Sequence, residues 1–226
     1  FSEKKEKTLA KSREICYNAC NIHMKKEIFS MHITITGKLG SGKSTVAKKL
    51  VELYGFEIFS TGAILRAAAA ERGMELLDLN KELNSKLDSD RSMDDLIDNT
   101  TIRVASERKD DKIIFDSRMA WHFVPGAFKV FVTVDPRVAA ERVIKDPRPG
   151  EPAEDVDELC AELVERSRVE QARFQYLYGV DYYDYKNFDL VVDSSHRTPD
   201  EVTAIVWEHC NAFLQDPAAY KHTELL

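Results

Sequence analysis

The sequence predicts an α/β fold of three layers, with a five-stranded parallel sheet held between helices. Three observations carry this. From residue 32 onward, short β-branched and aromatic runs alternate with longer stretches of helical spacing. Glycines stand just past two of the helical stretches, at Gly55 and Gly73, where a chain commonly leaves a helix. Prolines stand at the first turn of two others, Pro136 and Pro199, where a missing N–H costs nothing.

The elements follow in order. The first strand is His32-Ile33-Thr34-Ile35-Thr36, and a helix from about Ser44 to Tyr54 ends at Gly55. A short strand at Phe56–Phe59 leads into a helix from about Ala63 to Arg72. Residues 76–107 are charged and mostly helical, with Leu76, Leu79, Leu83 and Leu87 spaced as a packing stripe. Strands are expected at Lys112–Phe115 and Lys129–Val134, then a helix from Pro136 to about Lys145. Asp146-Pro147-Arg148-Pro149-Gly150-Glu151-Pro152 breaks regular structure. A long helix over about Asp155–Tyr178, a strand at Asp189–Val192 and a last helix from Pro199 complete the chain.

At 226 residues the chain suits one globular unit with an appendage. The appendage is residues 1–30, which hold seven basic against four acidic side chains, a local +3 within a net charge of −7. Residues 31–226 form the domain and carry −10. Met31 stands directly before the first strand and is a candidate start; the chain begins with Phe, so an upstream start is the alternative. An acidic body argues against a general grip on nucleic acid, yet Arg166, Arg168 and Arg173 cluster, which suits a specific anion.

No apolar run is long enough to span a bilayer, and no secretory or transit segment is evident, so no membrane contact and a cytoplasmic location are expected. Cys16, Cys20, Cys160 and Cys210 form no C-x-x-C pair. Cys16, Cys20 and His23 share a helical face but lack a fourth ligand, and small side chains on a packing face explain them equally.

Chemistry enters at Gly37-Lys38-Leu39-Gly40-Ser41-Gly42-Lys43-Ser44, which satisfies G-x-x-x-x-G-K-[ST] between a strand and a helix. Glycines let the backbone curl so that its N–H groups face a phosphate, and the helix N-terminus adds partial positive charge. The loop and the adjoining Thr45 are therefore the expected ATP site, with Lys43 reaching the β/γ-phosphates and the Ser44 hydroxyl on Mg²⁺. No N-K-x-D base signature of a GTPase is present. Ile113-Ile114-Phe115-Asp116 ends a strand in one acid, a candidate second holder of Mg²⁺; strand capping is the plainer alternative.

Further along, Ser60-Thr61-Gly62-Ala63-Ile64-Leu65-Arg66 resembles the S-T-G-x-x-x-R of nucleoside monophosphate kinases. Asp116-Ser117-Arg118 is similar to their D/E-G-R, and Arg166-x-x-x-Glu170-x-x-Arg173 to R-x-x-x-D-x-x-R. With Tyr178-Gly179-Val180-Asp181, the pattern over about residues 32–210 most resembles the archaeal-type cytidylate kinases. The resemblance implies a three-layer P-loop kinase fold and transfer of phosphate from ATP to CMP or dCMP.

It also implies roles. Ser60, Thr61, Gly62, Arg66 and Arg118 would take the acceptor, with Glu170 and Arg173 reading cytosine, and Arg142 would stand on the ATP side at the entrance to a lid. Lys43, Arg118, Arg166 and Arg173 would be catalytic. The acceptor region would cover about 60–107 and the lid about 146–173, where Arg148 is a further phosphate contact or an inert loop residue.

Physics agrees. Two phosphates repel, so cations must surround both, and guanidinium forks suit phosphate bidentately. Positions 166, 170 and 173 share one helical face whereas Arg168 points elsewhere, and a carboxylate such as Glu170 can accept from cytosine N4. On spacing alone the arginines also fit an exposed salt-bridged face.

Ser117 replaces the usual glycine, Glu170 the more frequent aspartate, and 76–107 matches weakly, which leaves the acceptor open. Trp121 and His122 are expected to pack near the acceptor pocket. The partners expected are small-molecule nucleotides, with a monomer as the default. Another small-molecule acceptor, or a nucleotide-binding module without turnover, are the alternatives.

Overall fold

In the computed structural model, residues 31–85, 91–146 and 155–221 are described. Residues 1–30 with the Cys16, Cys20 and His23 group, Leu87, and the Pro-rich stretch carrying Arg148 lie outside them.

Five strands run β1 Met31–Gly37, β2 Glu57–Ser60, β3 Lys112–Asp116, β4 Phe128–Thr133 and β5 Leu190–Asp193. All pair in parallel, in the order β2-β3-β1-β4-β5. The helices are α1 Lys43–Tyr54, α2 Thr61–Glu71, α3 Leu76–Ser85, α4 Ser92–Glu107, α5 Ala120–Phe123, α6 Pro136–Lys145, α7 Val156–Tyr178 and α8 Pro199–Gln215. The three-layer parallel fold expected from the sequence is the observed one, with the bounds of all five strands displaced by one residue at one end or both.

Local chemistry explains the larger differences. Helix α2 starts at Thr61, two residues before the expected start, because the Ser60 hydroxyl accepts from Ala63 N–H at 3.3 Å and caps it. The charged stretch forms two helices, α3 and α4, whose buried Leu79, Leu83 and Met93 close on Ala69 of α2. Leu76 is only half-buried. Short α5 and a 3₁₀ turn at Tyr185–Asn187 were not anticipated. Asp135, Asp155 and Thr198 cap α6, α7 and α8, the last with Glu201 in a reciprocal capping box.

Ile33 and Ile35 of the central strand are fully buried, and α1 and α8 cover that face through Val46, Leu50, Val202 and Val206. The opposite face carries Phe131 and Val191 under Met119, Trp121, Tyr182 and Phe188. Helices on both faces are what a parallel sheet requires. From β1 the chain steps two places to β2, and from β3 two places the other way to β4. The carboxyl ends of β1 and β3 therefore flank a topological switch point, the usual place for a ligand in such sheets.

Candidate functional site

The G-x-x-x-x-G-K-[ST] segment leaves β1 and turns into α1. Lys38 N–H donates to Val132 O at 3.1 Å and Ser41 N–H to Lys38 O at 3.2 Å, which closes the turn. Two glycines are sterically required. A Cβ on Gly37 would lie 2.3 Å from Val132 O; one on Gly40, whose φ is +73°, would lie 2.8 Å from Ala139 Cβ. Gly42 enters α1 with no side-chain cap, so the first helical N–H groups are left for a ligand or water. Behind the loop the buried Ser194 hydroxyl donates to Ser41 O at 3.0 Å.

Ser44, in the first turn of α1, donates its hydroxyl hydrogen bond to Asp116 Oδ2 at 2.8 Å. Strand β3 ends at Asp116, opposite Ile35 of β1, so the sheet register itself brings the acid to the loop. A hydroxyl and one carboxylate, both hard oxygen donors, fit Mg²⁺, which takes the rest of its shell from phosphate and water. Among the described residues no group of three or more His, Cys, Asp or Glu could hold a metal by itself.

Two residues beyond Asp116, Arg118 Nε donates to Glu170 Oε2 at 2.6 Å. Tyr182 OH donates to the same oxygen at 3.4 Å, and Arg166 Nε lies 3.6 Å from Glu170 Oε1. Burial opposes the Arg118 charge, but Glu170 outweighs it and holds the guanidinium above its usual range. Ser117, in the place of a glycine, is buried and accommodated: its hydroxyl accepts from Met119 N–H at 3.3 Å.

One turn along α7, Arg173 donates to both oxygens of Asp94, and the pair is 7% and 12% exposed. Helical spacing thus brings Arg166, Glu170 and Arg173 to one side with Arg118. Arg168 turns away and pairs with Glu165 at 2.7 Å on an exposed face.

The remaining expected residues sit less centrally. Arg66 is exposed, folded back so that a Cβ on Gly62 would lie 3.4 Å from its Nη1. Among the described residues its guanidinium has no hydrogen-bond or ion-pair partner. Arg142 donates to Ser194 Oγ at 3.0 Å and Ser194 O at 2.6 Å, and so braces the loop after β5. Trp121 is buried against Phe188, while neighbouring His122 is exposed.

Between α2, α3 and α4 on one side and α5 and α7 on the other lies a cavity of about 330 Å³. Thr61, Arg118, Arg166, Glu170 and Arg173 line it. So do Asp94 and Asp98, which sequence reasoning missed. Their i, i+4 spacing on an amphipathic stretch was a readable signal of a shared acidic face. Tyr178, the first residue of the Tyr178-Gly179-Val180-Asp181 motif, donates from its hydroxyl to Asp98 Oδ2 at 2.7 Å. Burial, then Asp98, push that hydroxyl up, so it stays protonated and a donor.

Burial pushes the Asp98 carboxyl up to about 6, against the bond from Tyr178; Asp94 and Asp95 add to the rise and Arg91 opposes it. The folded protein thus keeps a proton that the unfolded chain sheds near the ordinary 3.8. The stability from this group is full below about pH 4 and lost as pH rises through about 6. Asp98→Asn removes the titration. Its melting temperature relative to the parent is expected to rise between about pH 4 and about pH 7. A difference that is flat with pH in thermal melts would contradict the assignment.

The model of the cytidylate kinase-like family matches residues 32–196. Cytidylate kinase from Pyrococcus furiosus is 36% identical over 177 residues, covering 77% of this chain and 85% of that protein. An S-adenosylmethionine-dependent nucleotide dehydratase from Lacinutrix mariniflava is 31% identical over 84% of this chain, which spans only 38% of that longer protein. Among solved structures, shikimate kinase from Bacteroides thetaiotaomicron superposes with a TM-score of 0.54 at 15% identity, covering 80% of this chain and 98% of that one, a likeness of fold. No helix among the described residues is long and apolar enough to cross a membrane.

Proposed function

The chain belongs to the cytidylate kinase-like family and is a phosphotransferase, and we propose that it moves the γ-phosphoryl group of ATP to CMP or dCMP, giving the diphosphate and ADP. The observation that carries this reading is the end of β3. Asp116 there is bonded to Ser44 of the phosphate loop, and Arg118, two residues on, lines the cavity. Donor-side and acceptor-side groups thus issue from one turn.

In this reading the residues divide the charge. Loop amides from Gly37 to Ser44 with Thr45 cradle the ATP phosphates, and Lys43 neutralises the β/γ oxygens. Ser44 and Asp116 would hold Mg²⁺, which would supply further neutralisation of those oxygens. Thr61 with Ser60 and Gly62 forms the acceptor ledge. Arg118 and Arg66 clamp the acceptor phosphate, whose oxygen forms a bond to the γ-phosphorus as the bond from that phosphorus to the β–γ bridging oxygen breaks.

Arg166 and Arg173 add positive charge along the same wall. Arg142 acts at one remove, through Ser194 and the Ser41 carbonyl, instead of reaching the nucleotide. The acceptor region over about 60–107, the lid over about 146–173 and residues 1–30 as an appendage belong to the same proposal.

The test is ADP release with ATP, Mg²⁺ and CMP, dCMP, UMP, AMP or shikimate. Stimulation by CMP or dCMP above the others supports the reading. Stimulation by shikimate alone points to a different acceptor class, and stimulation by none points to a binding module.

A further inference from the structure

The acceptor cavity runs along α7. Arg166 and Glu170 stand near one end, and Tyr178 stands two turns beyond Glu170, about 12 Å along the helix axis. If the arginines hold the phosphate, the base lies towards Phe174, Tyr178, Phe123 and Ile97, which give that end an apolar and aromatic lining. Base identity must be read there by the polar group that the protein has not already used.

Five carboxylates line the cavity among the described residues; Glu162 and Glu165 precede Arg166 on α7, away from the Tyr178 end, and of the other three two are committed. Glu170 faces Arg118 and Tyr182 on one oxygen and Arg166 on the other. Asp94 is taken on both oxygens by Arg173. Asp98 differs. Its Oδ2 accepts from Tyr178, and among the described residues no other hydrogen bond reaches its carboxylate. It is half-buried, so its second oxygen is open to a ligand in the cavity that it lines.

We propose that Asp98, oriented by Tyr178, selects a pyrimidine bearing an exocyclic amine, its open oxygen accepting a hydrogen bond from cytosine N4. Glu170 then acts on the arginines that meet the phosphate and not on the base. Cytosine and uracil have the same size and differ at this edge, where one presents an N–H donor and the other a carbonyl. A carboxylate accepts from the first and repels the second.

This assignment rests on the nucleoside monophosphate kinase reading above. Its test inverts the edge. In Asp98→Asn the Tyr178 hydroxyl still donates to the side-chain oxygen, which turns the amide N–H₂ towards the base and suits the O4 of uracil. With saturating ATP, kcat/KM for CMP is expected to fall about 50-fold and that for UMP to rise. Tyr178→Phe frees the carboxylate to rotate, and a fall in the CMP-to-UMP ratio of about 5-fold is expected.

A purely structural role for Asp98 would lower both acceptors together; an unchanged ratio in Asp98→Asn overturns the proposal. Should that variant not fold, Tyr178→Phe decides: a lowered ratio supports the proposal and an unchanged one overturns it. Failure of the kinase reading looks different, because the unaltered protein would then turn over neither nucleotide.

Discussion

Lys43→Ala is expected to lower kcat for phosphoryl transfer about 1000-fold while the protein keeps its fold. The lysine occupies the first position of α1, behind a left-handed Gly42, and is half-buried. Alanine is the best helix former, so the helix and the loop hydrogen bonds should survive. In the proposed reading, what disappears is the cation at the β/γ-phosphates, whose contribution would grow as charge moves to the bridging oxygen. Steady-state ADP formation with saturating CMP checks the rate, and a thermal melt checks the fold. A fall below about 10-fold with the melt unchanged would remove Lys43 from the chemistry.

Arg118→Ala should act on the other substrate. The expected loss is about 1000-fold in kcat/KM for CMP, with KM for ATP within about 2-fold of the parent. The guanidinium is held in place by Glu170 at 2.6 Å, so its fork is oriented before the acceptor arrives. Arg118→Lys retains the charge and loses the bidentate geometry, so it should recover only part of the rate. Initial rates over a matrix of ATP and CMP concentrations separate the two. Equal rises in both KM values would indicate a disturbed fold, not a lost clamp.

How much of this was legible in the sequence depends on how far apart the partners lie. The phosphate loop is contiguous, and its glycines, Lys43 and Ser44 could be assigned from eight residues and their flanks. Asp116 was also within reach, because a parallel strand ending in an acid beside that loop has few other places to put it. Arg166, Glu170 and Arg173 followed from helical spacing, which also set Arg168 aside.

The acceptor wall was harder. Asp94 meets Arg173 across 79 residues of sequence and Asp98 meets Tyr178 across 80. No local periodicity encodes those pairings, and 76–107 matches the family pattern only weakly. The same distance explains Glu170. Read alone on α7 it was a free acceptor for a base, whereas in the fold Arg118 from the end of β3 occupies it. The bond from Arg142 to Ser194 is hidden for a similar reason, since the loop after β5 lies about 50 residues later in the chain.

The most direct measurement is the fate of a labelled γ-phosphate. Incubated with γ-labelled ATP, Mg²⁺ and CMP, the protein should place the label on CDP, in amounts equal to the ADP formed. Label recovered only as inorganic phosphate, or CDP formed at the same rate by Lys43→Ala, would contradict phosphoryl transfer at this site.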